Sequence, residues 1–219
     1  MKAPAKQSQA GQQSVLARAL APLFRAYLRR LDEMAARLPG DALACEMTTR
    51  DDDGKLLLGE DGLPLRYDVA DRSTGETYEV RGAKPDAPAE AEVRVGPLVL
   101  RLLPGNWEAM PLACAFDGTP VPEDAEELAN LIRAWAVLAA HGAFAHTGEA
   151  RGTKGAERWS GRIHAVSIQM HGDELRAQFD LGTCPPAGLD ALIESLAGFG
   201  LDRAPVAWAT LGGAAPDKV

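Results

Sequence analysis

From about Ser14 onward the apolar residues fall on a helical beat. Leu20, Phe24, Tyr27, Leu31, Met34 and Leu38 recur at steps of four and three, which predicts one apolar helix face ending at Pro39-Gly40. Pro22 lacks the N–H that the preceding turn would use, so a kink or a fresh start is expected there. The opposite face carries Arg18, Arg25, Arg29, Arg30 and Arg37. Three fates are open to such a helix: docking on its own sheet, pairing as a homodimer through residues 20–38, or lying on a membrane. Docking is preferred, because a helix beside an uncovered antiparallel face normally covers it.

Over residues 41–117 the period shortens to two. Leu63, Leu65, Tyr67 and Val69 alternate with Arg66 and Asp68, the chain turns at Ser73-Thr74-Gly75, and it returns through Tyr78 and Val80, which predicts a hairpin. Beyond the proline-rich stretch 83–91, "EVRVGPLVLRLL" and "WEAMPLACAF" read as apolar strands on either side of the turn "PGN", covered on both faces. A helix over 122–141 follows. "RIHAVSIQM" and "ELRAQFDL" then flank a turn at "HGD", with His164 in register with Val166, Ile168 and Met170 as a satisfied sheet residue. Pro185-Pro186 opens a helix through Leu189, Leu192, Ile193 and Leu196, and "APVAWATL" is a last short strand.

One phrase occurs twice. "FDGTPVPEDAEELANLI" (116–132) and "FDLGTCPPAGLDALIESL" (179–196) share Phe-Asp, Gly-Thr, proline and an L-x-x-L-I run. Each marks the joint between a strand and a helix, and together they predict a duplicated strand–turn–strand–helix unit over roughly 93–141 and 162–199. Asp117 and Asp180 are then turn formers rather than a catalytic pair, and Phe116 and Phe179 face the core. The expected fold is α+β: antiparallel sheet or sheets covered by an N-terminal helix and the two repeat helices. Residues 1–13 are expected to be a flexible tail and 14–219 one domain, divisible into 14–92 and 93–219. The order of helix, several strands, helix, two strands, helix resembles that of bacterial secretion chaperones, in order alone and without a shared motif.

Charge narrows the choice of partner. The chain of 219 residues has a net charge of −8, yet residues 1–40 hold seven basic and two acidic side chains, so the remainder carries −13. An acidic body argues against nucleic acid and suits a basic protein partner. Cys45, Cys114 and Cys184 are odd in number and without C-x-x-C spacing, so they read as small buried residues in a reducing compartment, not as a disulfide framework or a zinc site. No secretory leader or membrane span is expected, and the expected location is cytoplasmic.

Candidate chemistry is sparse. In "TRDDDGKLLLGE", Asp51, Asp53, Gly54 and Glu60 match four positions of a calcium loop, but Thr49 stands where a carboxylate is needed and no helix follows; a hairpin turn explains the same residues. His141 and His146 lack a third metal ligand nearby, and His141 suits a helix C-terminus. "GEARGTKG" (148–155) breaks the phosphate-loop spacing. No metal or cofactor is expected, and no nucleophile elbow occurs.

Two function classes remain. The preferred one is a non-enzymatic bacterial protein-binding module, like an immunity protein or secretion chaperone, which neutralises or escorts a basic toxin or effector. Its contact set would be Asp51, Asp52, Asp53, Glu60, Asp61, Glu123, Asp124, Glu126 and Glu127. The alternative is a small-molecule-binding domain or enzyme that uses the Gly-rich segment 142–161 as a lid over His141, His146, Arg151 and Lys154.

Overall fold

The computed structural model describes residues 14–38, 43–59, 62–83, 90–118, 120–145, 159–171, 174–199 and 206–213. The first helix, α1 (Val15–Ala35), starts at Ser14, whose hydroxyl accepts the Ala17 N–H at 3.0 Å and donates to Asp190 at 2.7 Å. The expected face is buried through Leu31, with Met34 and Leu38 half-buried at its end. No fresh start occurs at Pro22: α1 runs through it as one helix, although the missing N–H leaves the Arg18 carbonyl without its helical partner. The helix docks within its own chain. Phe24 packs on Trp107 at 5.4 Å between ring centroids, and Leu20, Tyr27 and Leu31 join the core that also holds Leu189 and Leu192.

A small antiparallel sheet follows, β1 (Leu43–Cys45), β2 (Val69–Asp71) and β3 (Thr77–Tyr78), in that spatial order. The turn before β3 is the one the sequence predicts, with Asp71 accepting from the N–H and the hydroxyl of Ser73.

The large sheet has six strands, β4 (Ala91–Val95), β5 (Leu98–Leu102), β6 (Met110–Phe116), β7 (Ala165–His171), β8 (Glu174–Asp180) and β9 (Val206–Leu211), in the order β4-β5-β9-β6-β8-β7. Two helices join its strands, α2 (Pro122–Ala140) and α3 (Pro186–Gly198), each with proline in its first turn. The sequence misleads at one place here. "EVRVGPLVLRLL" is not a single run but the hairpin β4–β5, turning at Gly96 with φ +56. The sheet is also mixed, because β9 inserts between β5 and β6, parallel to the first and antiparallel to the second.

β6 and β7 run parallel with β8 between them, and β8 and β9 run parallel with β6 between them. Each parallel pair is joined by a helix, so β6-α2-β7 and β8-α3-β9 are two interleaved strand–helix–strand halves. Their strand order, 4-1-3-2, is that of the ferredoxin-like arrangement. The sequence echo falls at the same joint of both halves: Phe116 ends β6 before α2, and Phe179 lies in β8 before α3, both buried against the helices.

Alternation assigns the two faces. Leu100, Ala209, Cys114 and Leu175 stand in one cross-strand row and are buried with the apolar sides of α2 and α3. On the other face Val99, Trp208, Ala115 and Glu174 form one row and Arg101, Thr210, Ala113 and Arg176 the next. Trp208 is 42% exposed there, so this face is open among the described residues, and β5 and β6 are covered on one face rather than on both as their apolar runs predict. No helix among them is long and apolar enough to cross a membrane.

Candidate functional site

Among the described residues, a buried concentration of ionisable groups lies at the seam between the small sheet and the ferredoxin-like body. Glu46 directly follows β1 and Asp68 directly precedes β2, and the Glu46 N–H donates to the Asp68 carbonyl at 2.9 Å. Glu46 has φ +50, a left-handed conformation that a residue with a Cβ adopts only when its surroundings impose it. His164 precedes β7 and extends its ladder by donating its N–H to the Asp180 carbonyl at 2.9 Å.

These elements bring the His164 ring between two carboxylates. Nε2 stands 3.2 Å from Glu46 Oε1, Nδ1 stands 3.1 Å from Asp68 Oδ1, and Asp180 Oδ1 lies 3.8 Å from Nδ1. Further donors share both carboxylates. Asp68 accepts from the Tyr27 hydroxyl and, at 2.6 Å, from the Val80 N–H. Glu46 accepts from the Thr183 hydroxyl and, at 2.5 Å, from the Ser160 N–H, while its carbonyl takes Arg66 Nη1 at 2.9 Å. Gly182, at φ +47, closes the ring from above: a Cβ there would stand 2.5 Å from the His164 imidazole.

The protonation states follow. Burial alone disfavours a charged imidazole, but the hydrogen bonds to Asp68 and Glu46 and the nearby charges outweigh it and raise His164 to about 10. Burial likewise opposes ionisation of Glu46, yet its hydrogen bond and attraction to His164 bring it below its usual value. Asp180 is pushed up to about 6, by burial first, against the pull of the imidazolium. Tyr27 is raised by burial and then by the Asp68 charge, so it remains a phenol and a donor.

This arrangement is chemically coherent and closed to solvent. His164 is 2% exposed, and Glu46, Asp68 and Thr183 are buried with it. A general acid or base must reach the proton it moves; an imidazolium saturated on both nitrogens by carboxylates, beneath a glycine, reaches none. The cluster joins α1, the small sheet and the β8–α3 joint instead.

The residues singled out from sequence lie elsewhere. Asp51, Asp52 and Asp53 are exposed at a hairpin tip, where Asp51 Oδ1 accepts the N–H of Asp53 at 3.1 Å and of Lys55 at 2.8 Å. That is the expected turn, and Thr49 is a ladder residue of the same hairpin, its carbonyl accepting the Leu57 N–H at 3.0 Å. Glu123, Glu126 and Glu127 are exposed on the first turns of α2, whereas Asp124 is buried there and offers no outward charge. His141 caps the C-terminal end of α2, with Nδ1 2.7 Å from the Val137 carbonyl. Glu60, Asp61, His146, Arg151 and Lys154 lie outside the described residues, as do residues 1–13 and Pro39-Gly40. Cys114 is buried and pushed up to about 12 by that burial, Cys184 is buried and raised for the same reason, and Cys45 is partly buried.

Sequence reasoning placed His164 as a satisfied sheet residue but missed both of its partners. Asp68 was assigned to the polar side of its strand, and it is buried because Tyr27, Val80 and His164 supply its hydrogen bonds. Glu46 carried only a weak signal, a lone acid in the apolar run "ALACEM". No family profile, curated protein or solved structure matches the chain.

Proposed function

We propose that the chain is a non-enzymatic bacterial protein-binding module that neutralises or escorts a partner protein in the cytoplasm, in the manner of an immunity protein or a secretion chaperone. The observation that carries this reading is the open face of the six-stranded sheet. Trp208 stands exposed at its centre beside Val99 and Ala115, with Arg101 and Arg176 in the adjoining row. An aromatic anchor among small residues, rimmed by charge, is the anatomy of a protein interface core. The exposed acids Asp51, Asp52, Asp53, Glu123, Glu126 and Glu127 add charge that favours a basic toxin or effector and speeds encounter.

The test is to isolate the chain with its partner from the native host and to compare Trp208→Asp with the triple variant Glu123→Lys, Glu126→Lys, Glu127→Lys. Trp208→Asp is expected to release the partner and the triple variant to slow its association, with both proteins folded. A partner retained at unchanged affinity and rate by both variants would sink the reading.

A further inference from the structure

A cleft of about 480 Å³ opens between the end of α1 and the chain around β3. One wall is helical. Arg30, Glu33, Met34, Arg37 and Leu38 follow one another at steps of three and one, so they share one face. The last two lie just past α1 in a tightened turn, where the Arg37 N–H donates to the Met34 carbonyl at 3.1 Å and the Leu38 N–H to the Ala35 carbonyl at 3.3 Å. The facing wall is Tyr78, Glu79, Val80 and Arg81. It is held at two points: the Tyr78 hydroxyl donates to Glu76 at 2.6 Å, and the Val80 N–H donates to the buried Asp68 at 2.6 Å.

The lining has two kinds of surface. Val80 is buried and Met34, Leu38 and Tyr78 are half-buried, so the deeper part of the cleft is apolar and still reached by solvent. The charged residues are exposed and form the rim. There Arg30 pairs with Glu33 at 3.3 Å and Arg81 with Glu79 at 2.8 Å. Arg37 has no carboxylate partner among the described residues. Three guanidinium groups against two carboxylates leave one positive charge over, in a chain whose net charge is −8.

Size, lining and charge select the occupant. A volume of this order belongs to small-ligand sites, which combine an apolar lining with a few placed polar groups. One uncompensated guanidinium suits one negative group, and a second would stand against Glu33 and Glu79. We propose that the cleft binds a small amphipathic monoanion, a carboxylic acid with an apolar body, its carboxylate on Arg37 and its body against Met34, Leu38, Tyr78 and Val80. None of the lining residues belongs to the six-stranded sheet, so the site stands whether or not the open sheet face binds a partner.

Met34 gives a direct readout, because it is the methionine that lines the cleft, whereas Met47 and Met170 are exposed elsewhere. In an NMR titration of carbon-labelled methionine methyl groups, octanoate is expected to move the Met34 signal, assigned with Met34→Leu, along a saturable curve. Met47 and Met170 are expected to stay in place. Acetate, which lacks the body, and sodium chloride at equal ionic strength should leave Met34 unmoved. Hexanoate should bind about fourfold more weakly than octanoate, for two half-buried methylenes fewer. Octanol, which lacks the charge, should bind about fivefold more weakly, and Arg37→Gln should weaken octanoate by the same factor without changing the affinity for octanol. Leu38→Ser should weaken octanoate and octanol alike; should it fail to fold, the hexanoate comparison measures the same apolar contribution. A Met34 signal that does not move or does not saturate, equal movement of Met47 and Met170, octanol or the dianion suberate binding as tightly as octanoate, or unchanged octanoate affinity in Arg37→Gln would each overturn the assignment.

Discussion

Glu46, His164 and Asp68 form a chain of three charges in which each removal has a definite sign. His164 titrates in the fold at about 10, above its ordinary 6.5, so its contribution is complete below about pH 6.5 and is lost as pH rises through 10. Glu46 is lowered from 4.5, so its contribution is present above that value and fades as pH falls through its folded pKa. Asp180, raised to about 6, acts the other way and favours the fold slightly as pH falls through 6. The urea midpoint is therefore expected to decline between about pH 6.5 and 10, and His164→Asn should abolish that part of the decline. At pH 7 the same variant should lose about 3–5 kcal/mol, because it leaves Glu46 and Asp68 buried without their cation. Gly182→Ala should cost at least about 2 kcal/mol in urea unfolding, since a Cβ meets the His164 ring and φ is +47. The burial of His164 was legible from its place among Val166, Ile168 and Met170. Its partners were not, because Glu46 is 118 residues away and Thr183 is 137 residues from Glu46, and nothing local encodes such pairings.

Among the elements, those with a long period and a proline or serine at the start were the most legible. α1, α2 and α3 lie where spacing and first-turn residues place them, and β9 matches the last apolar run. The capping of α1 joins two of them, because the Ser14 hydroxyl satisfies the Ala17 N–H and also bonds Asp190 on α3. Ser14→Ala should lower stability by about 1 kcal/mol, visible as a Tm decrease of a few degrees, and Ser14→Gly by less. The β4–β5 hairpin was missed although Gly96-Pro97 marks a turn, because Val93 and Val95 read on into Leu98, Leu100 and Leu102 as one strand. The insertion of β9 between β5 and β6 was equally silent. Strand order depends on which edges remain after the helices cross over, and periodicity within a strand carries no record of that.

Taken whole, the molecule is a ferredoxin-like body extended by the β4–β5 hairpin, with α1 and the small sheet fastened to it at the His164 cluster. Because Tyr27, Glu46 and Asp68 contribute to one hydrogen-bonded group with His164 and Thr183, the two parts should unfold together. His164→Asn is expected to split that single transition, with amide exchange at residues 43–59 and 62–83 becoming faster than in the body. The sheet face turned away from the helices is the proposed binding surface, and tryptophan provides a natural probe of it. Trp107, Trp135 and Trp159 are buried, so Trp208 alone among the four is exposed. Acrylamide quenching of tryptophan fluorescence, with Trp208→Phe as the control, reads the accessibility of that face with and without the co-purified partner. A readily quenched component is expected that is absent from Trp208→Phe and becomes protected when the partner binds. A partner that binds fully while Trp208 stays as quenchable as in the free chain would contradict it.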